Sequence, residues 1–112
     1  MNTGIKKRRH PRIPIDWPAV LMTPKGAIKG KTSNISVGGA LFLFSEMPEI
    51  DDEFQITIKS SEDHEMSVTC EKTRSDRFVA DESVFNGIAA RFLKISSSDY
   101  DIIASLVAEY YS

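Results

Sequence analysis

Apolar residues recur at every second position along much of this chain and shift to a spacing of three and four near its end. Phe54, Ile56 and Ile58 alternate with Gln55, Thr57 and Lys59, the period-two pattern of a strand with one buried face. Met66, Val68 and Cys70 alternate with Ser67, Thr69 and Glu71 in the same way. Trp17 to Thr23 is rich in apolar residues and runs into Pro24-Lys25-Gly26, a turn signal that predicts a hairpin with Ala27 to Ser33. Ala40-Leu41-Phe42-Leu43-Phe44 is apolar throughout, which predicts a strand covered on both sides. Phe78-Val79-Ala80 continues the meander, and Gly87 to Ile95 forms a last strand with Ile88, Ala90 and Phe92 on one side. Ile102, Ile103, Leu106, Val107 and Tyr110 then make the apolar stripe of an amphipathic helix over 97–111. Ser96-Ser97-Ser98-Asp99 stands ready to cap its exposed N–H groups.

The predicted order is a leader, six or seven short antiparallel strands and one helix. Closing the strands into a barrel removes exposed edges, and the helix covers one opening or flank. Residues 1–15 read as a flexible basic leader, because Pro11 and Pro14 disfavour helix there. Residues 16–112 read as one barrel domain. A chain of 112 residues can bury a core without disulfides or metal. Its 41% hydrophobic and 27% charged content is that of an ordered soluble domain. No apolar run approaches the ~18 residues of a membrane span, and the charged amino end is unlike a signal peptide. The single Cys70 excludes an internal disulfide and fits a reducing compartment, so a cytoplasmic location without membrane insertion is expected.

Charge changes the picture through its distribution. Residues 1–12 hold five of the Lys/Arg and no acid, whereas the remainder holds nine bases and sixteen acids, a charge of −7. A basic leader on an acidic body argues against DNA or RNA as a partner of the body. It leaves the leader free to find an anion, or to fold back on its own domain.

Two short segments can carry chemistry. The first is Lys6-Lys7-Arg8-Arg9-His10-Pro11-Arg12. Arginine matches phosphate oxygens and the O6/N7 edge of guanine in a two-pronged geometry that lysine cannot copy. Arg8 and Arg12, four apart in an extended segment, can stand up to ~13 Å from each other, far enough to reach different parts of one ligand. Two such contacts are worth ~1–3 kcal/mol each. By itself this run reads as a solvated basic tail attracted to nucleic acid or a membrane. The second segment is Asn34-Ile35-Ser36-Val37-Gly38-Gly39, with short hydrogen-bonding side chains and glycines that permit positive φ and close approach by a ligand. By itself it reads as a bulged turn whose Asn and Ser satisfy their own backbone. His10, His64 and Cys70 form no visible metal set. Cys70, on the face of Met66 and Val68, reads as core. No nucleophile with a base and an orienting acid is apparent, so no enzyme is expected. Trp17 reads as a barrel or rim residue.

Arg8-x-x-x-Arg12 followed by Asn34-x-Ser36-x-x-Gly39, ahead of an all-β body, resembles the PilZ domain, a bacterial receptor module for cyclic di-GMP. Pro48 to Phe54 is similar to that family's link into a middle strand, and Gly87-Ile88-Ala89-Ala90-Arg91-Phe92 to its late Gly-led strand. The resemblance implies an all-β fold, a six-stranded antiparallel barrel with a C-terminal helix, and it implies roles. Arg8 and Arg12 would hold guanine edges and phosphates as the leader wraps over the ligand. Asn34 and Ser36 would meet a guanine from the barrel surface, Gly38 and Gly39 forming the turn, with Gly39 keeping it open. Arg9 and Lys7 would add phosphate or stacking contacts. Two positions depart from the pattern. Asn34 stands where aspartate is more usual, which removes a charge-assisted acceptor and weakens binding by on the order of 1 kcal/mol. Asp52 stands where a glycine is usual.

The expectation is therefore a non-enzymatic cyclic di-GMP receptor, without cofactor, monomeric or weakly dimeric. With no output domain visible in the sequence, it would signal to a downstream protein partner in motility, adhesion or polysaccharide export, as the resemblance implies. One rival keeps the fold as a protein-binding adaptor that does not take the ligand. Another is a small barrel for single-stranded nucleic acid, which needs exposed aromatics interleaved with bases.

Overall fold

A computed structural model describes residues 10–60 and 63–112. Its elements are β1 (Ile13–Pro14), β2 (Pro18–Thr23), β3 (Gly26–Ile35), β4 (Gly39–Phe44), β5 (Glu53–Lys59), β6 (Glu65–Ala80), β7 (Ser83–Lys94) and α1 (Ser97–Tyr111). Strand order is β3-β2-β5-β6-β7-β4, and β4 pairs back with β3. Every pairing is antiparallel. Six strands thus close a barrel, as expected, and β1 is an additional short strand.

The alternating apolar positions fill the barrel. Leu21, Ile35, Phe42, Phe44, Ile56, Ile58, Met66, Val68, Cys70 and Ile88 are all buried, with Trp17 among them. Trp17 is a core residue, without an exposed face to stack on a base. Burying each of these large side chains contributes ~1.5–3 kcal/mol. Ser96 caps α1, its Oγ accepting from the Asp99 N–H at 3.1 Å. Buried Asp99 in turn bonds His64 Nε2 at 2.7 Å, tying the helix start to the loop between β5 and β6. Ile103 is buried, with Leu106 and Val107 packed against the core. Tyr110, expected on the same stripe, is exposed.

Four expectations are corrected. The span assigned to a flexible leader, residues 1–15, includes a docked part. Ile13 pairs with Ile35 and is buried, and Ile15 packs on the core. The gap between β1 and β2 is closed by Thr32, whose Oγ1 accepts from the Trp17 N–H at 2.9 Å and donates to the Ile15 carbonyl at 2.6 Å. β4 is fully covered on one face only. Ala40, Phe42 and Phe44 are buried, while Leu41 and Leu43 are half-buried on the outer face.

The segments around Met66–Glu71 and Phe78–Ala80 are one strand, β6, paired with β7 along its length with two register shifts. β7 begins at Ser83, earlier than its apolar pattern does. Beyond Glu71 on β6 and Asn86 on β7 neither strand has a barrel neighbour in the sheet. The hairpin therefore runs on as a two-stranded ribbon from Phe78 and Phe85 to its turn. Residues 72–77 of β6, Lys-Thr-Arg-Ser-Asp-Arg, are a sheet edge beside the barrel part of β7, exposed from Thr73 to Arg77, which removes the period-two apolar signal. Asp81 and Glu82 make the hairpin's turn with φ of 49° and 65°, without the Asn-Gly or Asp-Gly that usually marks such turns.

Candidate functional site

The site is built where β1, β3, β4 and β7 meet. A register shift between Thr32 and Asn34 in the β3–β4 ladder marks a bulge. Strict alternation from inward-facing Thr32 would send Asn34 into the barrel and Ile35 out. The extra residue inverts this. Ile35 lies in the core opposite Ala40, and Asn34 turns to the outer face opposite Leu41. β1 then pairs Ile13 with Ile35 and Pro14 with Asn34, which brings the preceding residue over that face. Arg12 Nη1 donates to Asn34 Oδ1 at 3.1 Å. The two motifs, separated in sequence, are in contact in the fold.

Ser36 to Gly39 forms the bend that follows. The Ser36 N–H donates to the Gly39 carbonyl at 2.8 Å. Ser36 Oγ accepts from the N–H groups of Gly38 and Gly39 at 3.0 and 3.2 Å. The hydroxyl is buried at 3% exposure and shapes the turn from within. The two glycines are needed for space, since among the described glycines only Gly26 has positive φ. A Cβ on Gly38 would collide with the His10 ring, and one on Gly39 would collide with the Ala90 carbonyl and the Arg91 Cα. The Phe92 N–H donates to the Gly38 carbonyl at 2.9 Å, stapling the bend to β7.

Of the residues the sequence singled out, Arg12, Asn34, Ser36, Gly38 and Gly39 therefore converge on one outer patch. Lys7, Arg8 and Arg9 lie outside the described residues. Two further residues belong to the patch. His10, considered only as a metal ligand, rests its ring on Gly38. Arg91 pairs in register with Gly39 and donates to Glu71 Oε1 through Nε, at 3.1 Å, and through Nη2. A cation two strands away from Asn34 was visible in the sequence, but its neighbour across the sheet was not. The carbonyl of Arg12 accepts from the Tyr111 hydroxyl at 2.7 Å, so the end of α1 reaches the same stretch of backbone.

Arginine, histidine, an amide and bare backbone beside a glycine bend suit an anionic, hydrogen-bonding ligand. A groove of about 510 Å³ elsewhere is lined by Met22, Ile50 and Phe54 with Glu49, Asp51 and Glu53, an acidic wall that repels such a ligand. Among the described residues no group of three or more His, Cys, Asp or Glu could hold a metal ion. Burial pushes the Cys70 thiol up to about 12, leaving it protonated and unreactive at neutral pH. Among the described residues no helix is long and apolar enough to cross a membrane.

Comparison with known proteins gives the same reading. Curated protein sequences contain no match. Among solved structures, the inhibitor of motility MotI/DgrA of Bacillus subtilis is 14% identical, with a TM-score of 0.76 over 99% of this chain and 56% of that one. The PilZ domain of YcgR from Escherichia coli, solved with c-di-GMP, is 17% identical, with a TM-score of 0.71 over 93% of this chain and 94% of that one. The MrkH–c-di-GMP complex of K. pneumonia is 16% identical, with a TM-score of 0.77 over 96% and 52%. The chain thus spans about half the length of MotI/DgrA and of MrkH, and at these identities the likeness is one of fold. The family model for the PilZ domain matches residues 6–109, nearly the whole of a chain whose Arg12 lies on its Asn34 beside the glycine bend, and the chain belongs to the PilZ domain family.

Proposed function

We propose that this protein is a receptor for cyclic di-GMP, which it captures between the leader and the Ser36–Gly39 bend. The observation that carries the reading is the Arg12–Asn34 hydrogen bond. It places a guanidinium, fixed in direction, at the edge of a patch with no side chain at Gly38 or Gly39. Cyclic di-GMP is a dianion with two guanine bases. Arg12 offers the fork that matches either a phosphate or a guanine O6/N7 edge. Asn34 steers that fork through its oxygen and keeps an NH2 to donate. Ser36 acts by holding the bend in shape. Arg8, Arg9 and Lys7 supply further cations from the leader, as the family resemblance implies.

The same assignment makes the protein a binding module. Its output is a change in the surface around the leader and the end of α1, read by a protein partner. Titration calorimetry with cyclic di-GMP, with GTP as control, tests the reading. Saturable binding of cyclic di-GMP with no heat from GTP supports it. No binding of cyclic di-GMP would leave a protein-binding adaptor on the same fold.

A further inference from the structure

The geometry points to Arg91 on β7 as an additional ligand-binding residue, held in reserve by Glu71 on β6; this rests on the receptor reading above. Ala40 and Ala90 face each other inside the barrel and are both buried. Strict alternation then places their neighbours Gly39 and Arg91, also paired, on the outer face. Glu71 pairs with Arg91 on the next strand. Gly39, Arg91 and Glu71 thus stand in one row on the outer surface, and Asn34 lies on the same surface opposite Leu41, two residues along β4. Adjacent strands lie about 4.8 Å apart and two residues span about 6.7 Å, so Arg91 stands roughly 12 Å from Asn34 across β4, on the side of the bend opposite Arg12. Gly39 carries no side chain and the bend is stapled to β7 through Phe92 and Gly38, so the floor between the two cations is the backbone of the bend with the His10 ring resting on Gly38. A ligand seated over the bend meets Arg12 at one edge and Arg91 at the other.

Arg91 gives Nε and Nη2 to a single Glu71 oxygen. A guanidinium has five donors, so this leaves others for a ligand. The pair is largely open to water, with side-chain exposures of 62% and 39%. Exposed pairs of this kind contribute little to stability. A phosphate arriving over Gly39 can therefore compete for Arg91, while the Glu71 carboxylate repels it. Glu71 keeps the arginine extended along the sheet and lowers affinity for the dianion.

The test is calorimetric titration of cyclic di-GMP into wild type, Arg91→Ala, Arg91→Lys, Glu71→Gln and Arg12→Ala. Arg91→Ala should raise Kd about ten-fold. Arg91→Lys, which keeps charge and loses the fork, should fall between. Glu71→Gln should lower Kd about three-fold, an effect that loss of a merely structural ion pair would not produce. The ligand-free Tm of all three should stay within about 2 °C of wild type. If Arg12→Ala abolishes binding while the Arg91 and Glu71 variants bind like wild type, the inference is overturned and the receptor reading stands. If wild type itself does not bind, both fall.

Discussion

Tyr111, in the last turn of α1, donates its hydroxyl hydrogen to the main-chain carbonyl of Arg12 at 2.7 Å. The same residue whose guanidinium rests on Asn34 is thus tied at its backbone to the far end of the chain. Ligand capture at the Arg12 side chain and the position of the helix end share one residue. Tyr111→Phe removes a single exposed hydrogen bond, so stability should fall by no more than about 1 kcal/mol. Amide exchange in the last turn of α1 should respond to cyclic di-GMP in wild type and much less in Tyr111→Phe. An equal response in both proteins would detach the helix from the leader.

Gly39 is the position where the bend has least freedom. Its missing Cβ points at the Ala90 carbonyl, a backbone atom of a paired strand that cannot swing away. Gly39→Ala should therefore cost about 1–3 kcal/mol through overpacking, a fall in Tm of roughly 5–15 °C by thermal unfolding, and should weaken cyclic di-GMP binding as well. Gly38→Ala meets the His10 side chain instead. That ring can turn aside, so the thermal penalty should be smaller. Equal Tm values for Gly39→Ala and wild type would remove the packing argument for the motif glycine.

Asn34→Asp restores the carboxylate more usual in the family's motif. A charged acceptor makes a stronger bond to the Arg12 guanidinium and to guanine N–H groups. Binding should tighten by on the order of 1 kcal/mol, about five-fold in Kd by calorimetry. An unchanged Kd would mean that the Asn34 side chain neither touches the ligand nor governs Arg12.

Cys70 gives a prediction in pH. Burial raises its thiol from the ordinary 9.0 to about 12. The folded state holds the proton that the unfolded chain releases. The stabilisation is thus complete below about pH 9 and is lost as pH rises from there through about 12, with a slope of at most ~1.4 kcal/mol per unit. Native protein at pH 8 should be inert to thiol reagents and should react only on denaturation. Rapid labelling of the folded protein would contradict the burial of this side chain.

Much of the barrel was legible because its core positions obey a simple period. Phe54-Ile56-Ile58 and Met66-Val68-Cys70 are the paired inner faces of β5 and β6, and Ser96 caps the helix where the pattern changes. What escaped was set by contacts distant in sequence. Ile13 joined the core through pairing with Ile35, which two prolines concealed. The edge of β6 from Thr73 to Arg77 is exposed at every residue and so has no period. Asp81 and Glu82 turn the chain at positive φ without the glycine that would have marked it. The site was legible as two motifs of recognisable chemistry. Their roles needed the fold. Ser36 is spent on the bend, the glycines are required for space, and His10 and Arg91 enter through neighbours that only the sheet reveals.

If leader and bend close over one cyclic dinucleotide, backbone amide NMR during titration with cyclic di-GMP will show both segments responding to it. The amides of His10 and Arg12 and those of Asn34, Ser36, Gly38 and Gly39 should shift together, saturate at the same ligand concentration, and lose that response in Arg12→Ala. Shifts confined to another face of the barrel, or a spectrum unchanged at saturating ligand, would contradict it.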